Sequence, residues 1–260
     1  MHPIRWVWPV GWVALLIAMS PPLLAADFAR VAAASDLRFA MDEILVEYRA
    51  EFPDKTIEVI YGSSGRFRTQ IENGAPFDLY FSADIAYPQA LKEAGFAAGD
   101  VVPYALGRIV LWSRTQDASA LTLEDLRPEQ FRRIAIANPR HAPYGARAQE
   151  ALESAGLWES VSPRLVYGEN IAHAMQLVQS GASEVGIIAL ALALNPAVAE
   201  QGGYYLIDDS LHQPLAQGFI VTRRAVDNDT AHHFAQYMMR SNVRDIMRTY
   251  GFELPDESAS

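Results

Sequence analysis

Two hydrophobic rhythms alternate along this chain. Short runs that are apolar almost throughout, at 29–34, 56–61, 79–82, 108–113, 133–137, 164–167, 185–189, 204–207 and 218–222, have the length and composition of buried strands. Between them lie segments whose apolar residues recur every three or four positions. In 38–51 that set is Phe39, Met41, Ile44, Leu45 and Tyr48, which a single helix face can bury together. The same period predicts helices over 66–73, 85–94, 146–155, 171–180, 230–239 and 242–250, a short one within LTLEDLRPEQF, and another after residue 189. Strands that alternate with helices in this way predict an α/β fold of mainly parallel sheets covered by helices on both faces.

Four of the strand-to-helix passages are made of small, hydroxyl-bearing or turn-forming residues. They are Ser35-Asp36 after VAAA, Gly62-Ser63-Ser64-Gly65 after IEVIY, Pro143-Tyr144-Gly145 after RIAIANP, and Gly168-Glu169-Asn170-Ile171 after RLVY. The first N–H groups of a helix have no intrahelical acceptor and sit at the positive end of its dipole, so each turn suits an anion. In open α/β sheets ligands bind beyond the carboxyl ends of the strands, which is where these turns fall. Each residue also has a plainer role open to it: Ser35 as a helix N-cap, GSSG as a turn, Tyr144-Gly145 as turn chemistry after a proline, Ile171 as a core residue. Their joint occurrence makes the candidate site.

No Pro/Gly/Ser-rich linker divides the chain, so a second lobe has to be inserted within the first. Crossings near Ala105–Gly107 and Gln213–Gln217, each running into a strand, divide it into 27–106 with 216–260 as one lobe and 107–215 as the other. Two strands crossing side by side form a hinge, with a cleft opposite it. Ser35 and Ser64 then face Tyr144 and Ile171 across that cleft.

Charge and composition narrow the function. Arg5 precedes a nearly unbroken apolar run from Trp6 to Ala18, Pro21-Pro22 interrupts it, and Ala25-Ala26 offers a cleavage point; this is the layout of a secretory signal peptide over 1–26. The remaining roughly 230 residues can bury a large core. A net charge of −10 and a pI near 5.0 argue against nucleic acid and anionic membranes as partners. With no cysteine, neither a disulfide nor a thioether lipid anchor is available, and the expected location is the periplasm.

In their order and spacing, VAAASDL, YGSSGRFRTQIENGAPFDLYFSAD, IAIANPRHAPYGARAQEAL and GENIAHAMQLVQSG resemble the periplasmic molybdate-binding proteins of ABC importers, over essentially the whole chain after the leader. The resemblance implies a type II periplasmic-binding-protein fold, two-lobed with a two-strand hinge, that closes on a tetrahedral oxyanion and hands it to a membrane permease. It implies contacts from Ser35 through hydroxyl and backbone, from Ser64, and from the backbone of Tyr144 and Ile171, with Asp36, Ser63, Asn170 and Arg66 nearby. Some members add a tyrosine hydroxyl from the strand that here reads VGIIA; this chain has Ala189 there, unless Tyr144 supplies the missing donor. A monomer with no cofactor and no metal cation is expected, the ligand being molybdate or tungstate.

Oxyanion chemistry sharpens the expectation. A fully deprotonated dianion wants a donor at every oxygen, whereas hydrogen phosphate needs one acceptor. Donor-only turns therefore favour the former, provided that Asp36 caps its helix and does not face the ligand. Other cargoes (sulfate, phosphate, an organic acid) stay open, as does a secreted hydrolase using Ser35 or Ser64. GSSG matches neither the nucleophile elbow nor a P-loop, and the histidines form no HExxH pair.

Overall fold

The computed structural model describes residues 27–255; the leader expected over 1–26 and the tail beyond 255 lie outside the described residues. Two five-stranded sheets carry the fold. The first has the order β2-β1-β3-β10-β4, from β1 (Phe28–Ala34), β2 (Thr56–Gly62), β3 (Leu79–Ser82), β4 (Val102–Gly107) and β10 (Leu215–Val221). The second has the order β7-β6-β8-β5-β9, from β5 (Ile109–Trp112), β6 (Ile134–Ala137), β7 (Leu165–Gly168), β8 (Val185–Ala189) and β9 (Tyr204–Leu206). β10 runs antiparallel to both its neighbours, and so does β5, so in each sheet one strand opposes four that point the same way.

Parallel register is what brings the turns together. β1 lies between β2 and β3 with Ala34 opposite Gly62 and Ala33 opposite Phe81, so the residues that follow these strands emerge side by side. In the second sheet Ala137 lies opposite Gly168, which does the same for the turns after β6 and β7. Val31, Ala32 and Ala33 are fully buried, as expected for a central strand covered on both faces.

Alternate residues of the first sheet feed different cores. Val31, Ala33, Leu79 and Phe81 pack with helices α1 (Arg38–Glu51), α9 (Asp229–Tyr237) and α10 (Ser241–Thr249), where Phe81 stacks on Phe219 at 4.6 Å. Ala32, Tyr80 and Ile220 face α2 (Ser64–Glu72) and α3 (Ala86–Glu93) through Phe67, Ile71 and Leu91. The second sheet is enclosed by α4 (Pro143–Ser154) and α6 (Ile171–Gln179) through residues such as Ala148, Leu152, Met175 and Val178. Smaller helices α5 (Trp158–Val161), α7 (Leu190–Ala193) and α8 (Pro196–Ala199) complete the fold, and α7 reaches across so that Ala191 joins the first core.

Several boundaries move relative to the sequence pattern. α2 begins at Ser64 and α4 at Pro143, two and three residues before the predicted starts, so the turn residues themselves form the first helical turn. The LTLEDLRPEQF segment holds only a 3-10 turn at Leu123–Leu126, closed by a Thr122/Asp125 capping box. β10 starts at Leu215, three residues ahead of the predicted strand, because it pairs with β4 as the chain recrosses: Leu215 with Gly107, Ala216 with Leu106, Gln217 with Ala105.

Candidate anion-binding site

All four turns meet around one small pocket. Its lining includes Ser35, Asp36, Ser63, Ser64, Tyr144, Asn170 and Ile171, together with small residues such as Ala34, Ala83 and Ala142. Empty space there, part of it open to solvent, is about 190 Å³, and hydrogen bonds from Ser35 to Asn170 and from Tyr144 to Asp36 join its two sides. Arg66 is not among the lining residues; its guanidinium pairs at 3.1 Å with Glu169 of the facing lobe at the exposed rim.

The start of α6 makes the logic of the site plain. Asn170 is the N-cap and accepts from His173 N–H at 2.9 Å, while Ala172 N–H donates at 3.2 Å to the hydroxyl of Ser35, which comes from the other sheet. The Ser35 hydroxyl in turn donates to Asn170 Oδ1 at 3.0 Å. Two of the helix's orphan donors are thereby satisfied, and the Ile171 N–H, at the first helical position, has no acceptor among the described residues. Ser35 does cap a helix, but not the one it precedes.

The other turns divide their donors in the same way. Gly65 N–H donates to His141 O at 2.9 Å and Phe67 N–H to Ser63 O at 3.0 Å, which leaves the N–H groups of Ser64, at the first position of α2, and of Arg66. The Ser64 hydroxyl accepts from Ala83 N–H at 3.0 Å, and Tyr80 OH donates to Ser64 O at 2.8 Å, so Ser64 is clamped from both sides. In α4, Pro143 has no N–H to offer and Tyr144 provides the first. Gly145 is required here: a Cβ on it would lie 2.1 Å from the Ala137 carbonyl oxygen, so only glycine lets the helix start this close to the end of β6.

Asp36 departs from expectation. It does not cap the 35–37 turn, which has no side-chain cap. Instead its Oδ2 accepts from Tyr144 OH across the cleft at 3.0 Å and from Gln217 Nε2 of its own lobe at 2.8 Å, while Oδ1 is buried without a partner. Burial is the main reason its pKa rises from 3.8 to about 6; the bonds from Gln217 and Tyr144, then the adjacent backbone, oppose the rise. Gln217 also donates to Tyr144 OH at 3.1 Å and accepts from Tyr104 OH at 2.6 Å. Burial, then the Asp36 charge, holds the Tyr144 phenol well above its ordinary pKa. The Tyr144 hydroxyl is thus spent on Asp36 and Gln217 and does not replace a tyrosine at Ala189, which is buried in β8.

Gln217, Tyr104, His141 and Arg147 escaped the sequence reading. Gln217 falls in the part of β10 that the apolar pattern did not reach. His141 accepts Ser63 through its carbonyl, and its Nδ1 lies 2.9 Å from Ser63 Oγ. Among the described residues the Ser35 and Ser64 hydroxyls bond to Asn170, Ala172 and Ala83, and no histidine bonds to either. The HAPYG segment held the only available hint. No group of three or more His, Cys, Asp or Glu that could hold a metal cation occurs among the described residues.

A pocket between two α/β lobes, walled by helix starts from both, defines a solute receptor of the binding-protein type. The family of bacterial extracellular solute-binding proteins matches residues 29–253, and the chain belongs to it. A molybdate-binding protein ModA from Azotobacter vinelandii is 32% identical over 249 residues, which is 92% of this chain and 97% of that protein. One from Rhodobacter capsulatus is 31% identical over 92% of this chain and 93% of that protein. Among solved structures, the periplasmic molybdate-binding protein of Azotobacter vinelandii superposes with a TM-score of 0.82 at 28% identity, covering 87% of this chain and 99% of that one.

Proposed function

We propose that this protein captures molybdate, and its near-isosteric analogue tungstate, in the interlobe pocket and delivers it from the periplasm to the permease of an ABC importer. The observation that carries the proposal is the convergence of helix starts from both lobes, those at Ser35, Ser64, Tyr144 and Ile171, on the lining of one small void. Fixed dipoles of this kind hold an anion without a cation and act locally, so they tolerate a net charge of −10. The named function of the relatives that match over nine-tenths of the chain supports the cargo.

Ser35 then acts mainly through its backbone, because its hydroxyl is committed to α6, and Ser64 through its amide with the hydroxyl bracing Ala83. Selection against sulfate is by size; against hydrogen phosphate it cannot rest on a donor-only lining, because Asp36 lies in the pocket wall with one carboxylate oxygen unpartnered. We expect a monomer that uses no cofactor. Calorimetric titration with molybdate, tungstate, sulfate and phosphate tests the assignment. One molybdate or tungstate per chain, each bound at least tenfold tighter than sulfate and phosphate, is the expected result. Tighter binding of sulfate or phosphate, or no heat with molybdate, overturns it.

A further inference from the structure

We infer that Asp36 is a proton-linked selector: it takes up one proton as the lobes close on a dianion, so that a carboxylic acid, not a carboxylate, faces the bound oxyanion. The inference deepens the function proposed above and rests on it.

The reason is a mismatch of charge in the pocket. Asp36 lines the void, is 1% exposed, and has one oxygen, Oδ2, engaged by Tyr144 and Gln217 while Oδ1 is buried with no partner. A carboxylate only accepts, and so do the oxygens of a deprotonated oxyanion, so a charged Asp36 in the lining and the ligand repel until the carboxylate takes up a proton.

Among the described residues no cation pairs with Asp36. From α4, Arg147 is drawn to Asp84 at 3.6 Å and to Glu150. From α2, Arg66 pairs with Glu169 at the rim. From the loop before α4, His141 is held by Ser63, and His173 of α6 accepts Glu169 N–H at 3.2 Å. Tyr144 from α4 and Tyr104 from β4 are phenols whose pKa burial and the Asp36 charge push well up, so both keep their protons and supply none to Asp36. The proton must come from water.

Burial, outweighing the hydrogen bonds that oppose it, already brings Asp36 to about 6, and two further negative charges beside it move it upward again. Protonated at Oδ1, the side chain changes from acceptor to donor and completes an all-donor lining. The balance is one proton taken from solvent per dianion bound, with none released by the ligand. Bound hydrogen phosphate would instead bring its own proton to Oδ1, and no uptake would follow.

Titrating molybdate into the protein between pH 6 and 8, in buffers of different ionisation heat, reads both quantities. For the wild type the expected result is uptake approaching one proton per molybdate at pH 7.5, with Kd rising toward tenfold per pH unit above about pH 6.5. For Asp36→Asn, uptake disappears, Kd is flat with pH, and at pH 8 binding is tighter than in the wild type. A wild-type Kd that is flat with no proton uptake overturns the inference while leaving molybdate as the cargo, and it needs no variant. Uptake that persists in Asp36→Asn but is lost in His141→Gln also overturns it by assigning the proton to His141. Absence of molybdate binding to the wild type at every pH removes the proposed cargo, and the inference with it.

Discussion

Ser64 illustrates how a residue can be recognised for one property and act through another. Its hydroxyl is the acceptor for Ala83 N–H in the interior, so Ser64→Ala strands a buried donor. The expected cost is about 1–3 kcal/mol in urea unfolding, with weaker molybdate binding because the helix start loses its brace. Gly145 is bound by space: Gly145→Ala sets a Cβ against Ala137 O and should cost about 1–3 kcal/mol and displace the Tyr144 amide, read as lowered Tm and lost affinity together. Asp36 carries a pH signature of its own in the ligand-free protein. Its folded pKa, about 6, exceeds the ordinary 3.8, so its contribution is fully present below about pH 3.8 and is lost as the pH rises to about 6, amounting to about 3 kcal/mol. The stability of the wild type relative to Asp36→Asn should therefore fall between pH 4 and 6 and level off above. These roles follow from neighbours far along the chain, which is why the serines, the glycine and the aspartate stood out in the sequence while their partners did not.

At the level of elements, α6 shows how a helix start is shared. Asn170 and Ser35 each take one of its first donors and bond to one another, so neither acts alone. Asn170→Ala should cost about 0.5–2 kcal/mol and loosen the Ile171 amide. Combined with Ser35→Ala, the losses should fall short of additive in a double-mutant cycle of unfolding energies, because the second substitution removes a bond the first has already broken. The periods that identify helices and strands were legible because they depend on which face a segment buries. The starts of α2 and α4 were not, since serine, glycine, proline and tyrosine carry no apolar period, and the first turn is held by caps and by the opposite lobe. The early start of β10 was hidden for a related reason: Leu215–Gln217 is a strand because β4 is there to pair with it.

Across the whole molecule, the lobes are joined by two chain crossings and latched by contacts on the cleft side. Gly107 at one crossing leaves room for the Tyr144 hydroxyl, which a Cβ would approach to 2.2 Å. Arg108 next to it pairs at 2.8 Å with Glu253, whose backbone bonds to Leu106, so the C-terminal segment splints the hinge. The two ion pairs that span the cleft differ in worth. Arg66–Glu169 is half exposed on one side and more so on the other, and Arg66→Ala should change molybdate affinity by less than about 1 kcal/mol. Arg147 is largely buried, and Arg147→Gln leaves Asp84 with less compensation in the closed form only. It should weaken binding more than Arg66→Ala while leaving urea unfolding nearly unchanged, and raise the radius of gyration of the unliganded protein in X-ray scattering.

Within the amino-acid order alone lay the α/β alternation, the four helix-start turns and the kind of ligand they suit, because each depends on a window of a few residues: a period, a cap, a proline or a glycine. Tertiary structure alone decided which donors remain for a ligand and what faces it. Ser35 meets Asn170 135 positions away, and Asp36 meets Tyr144 108 positions away. Whether a hydroxyl or carboxylate points at an anion or is already spent is settled by which partner closes around it, and no local pattern encodes a partner on another lobe.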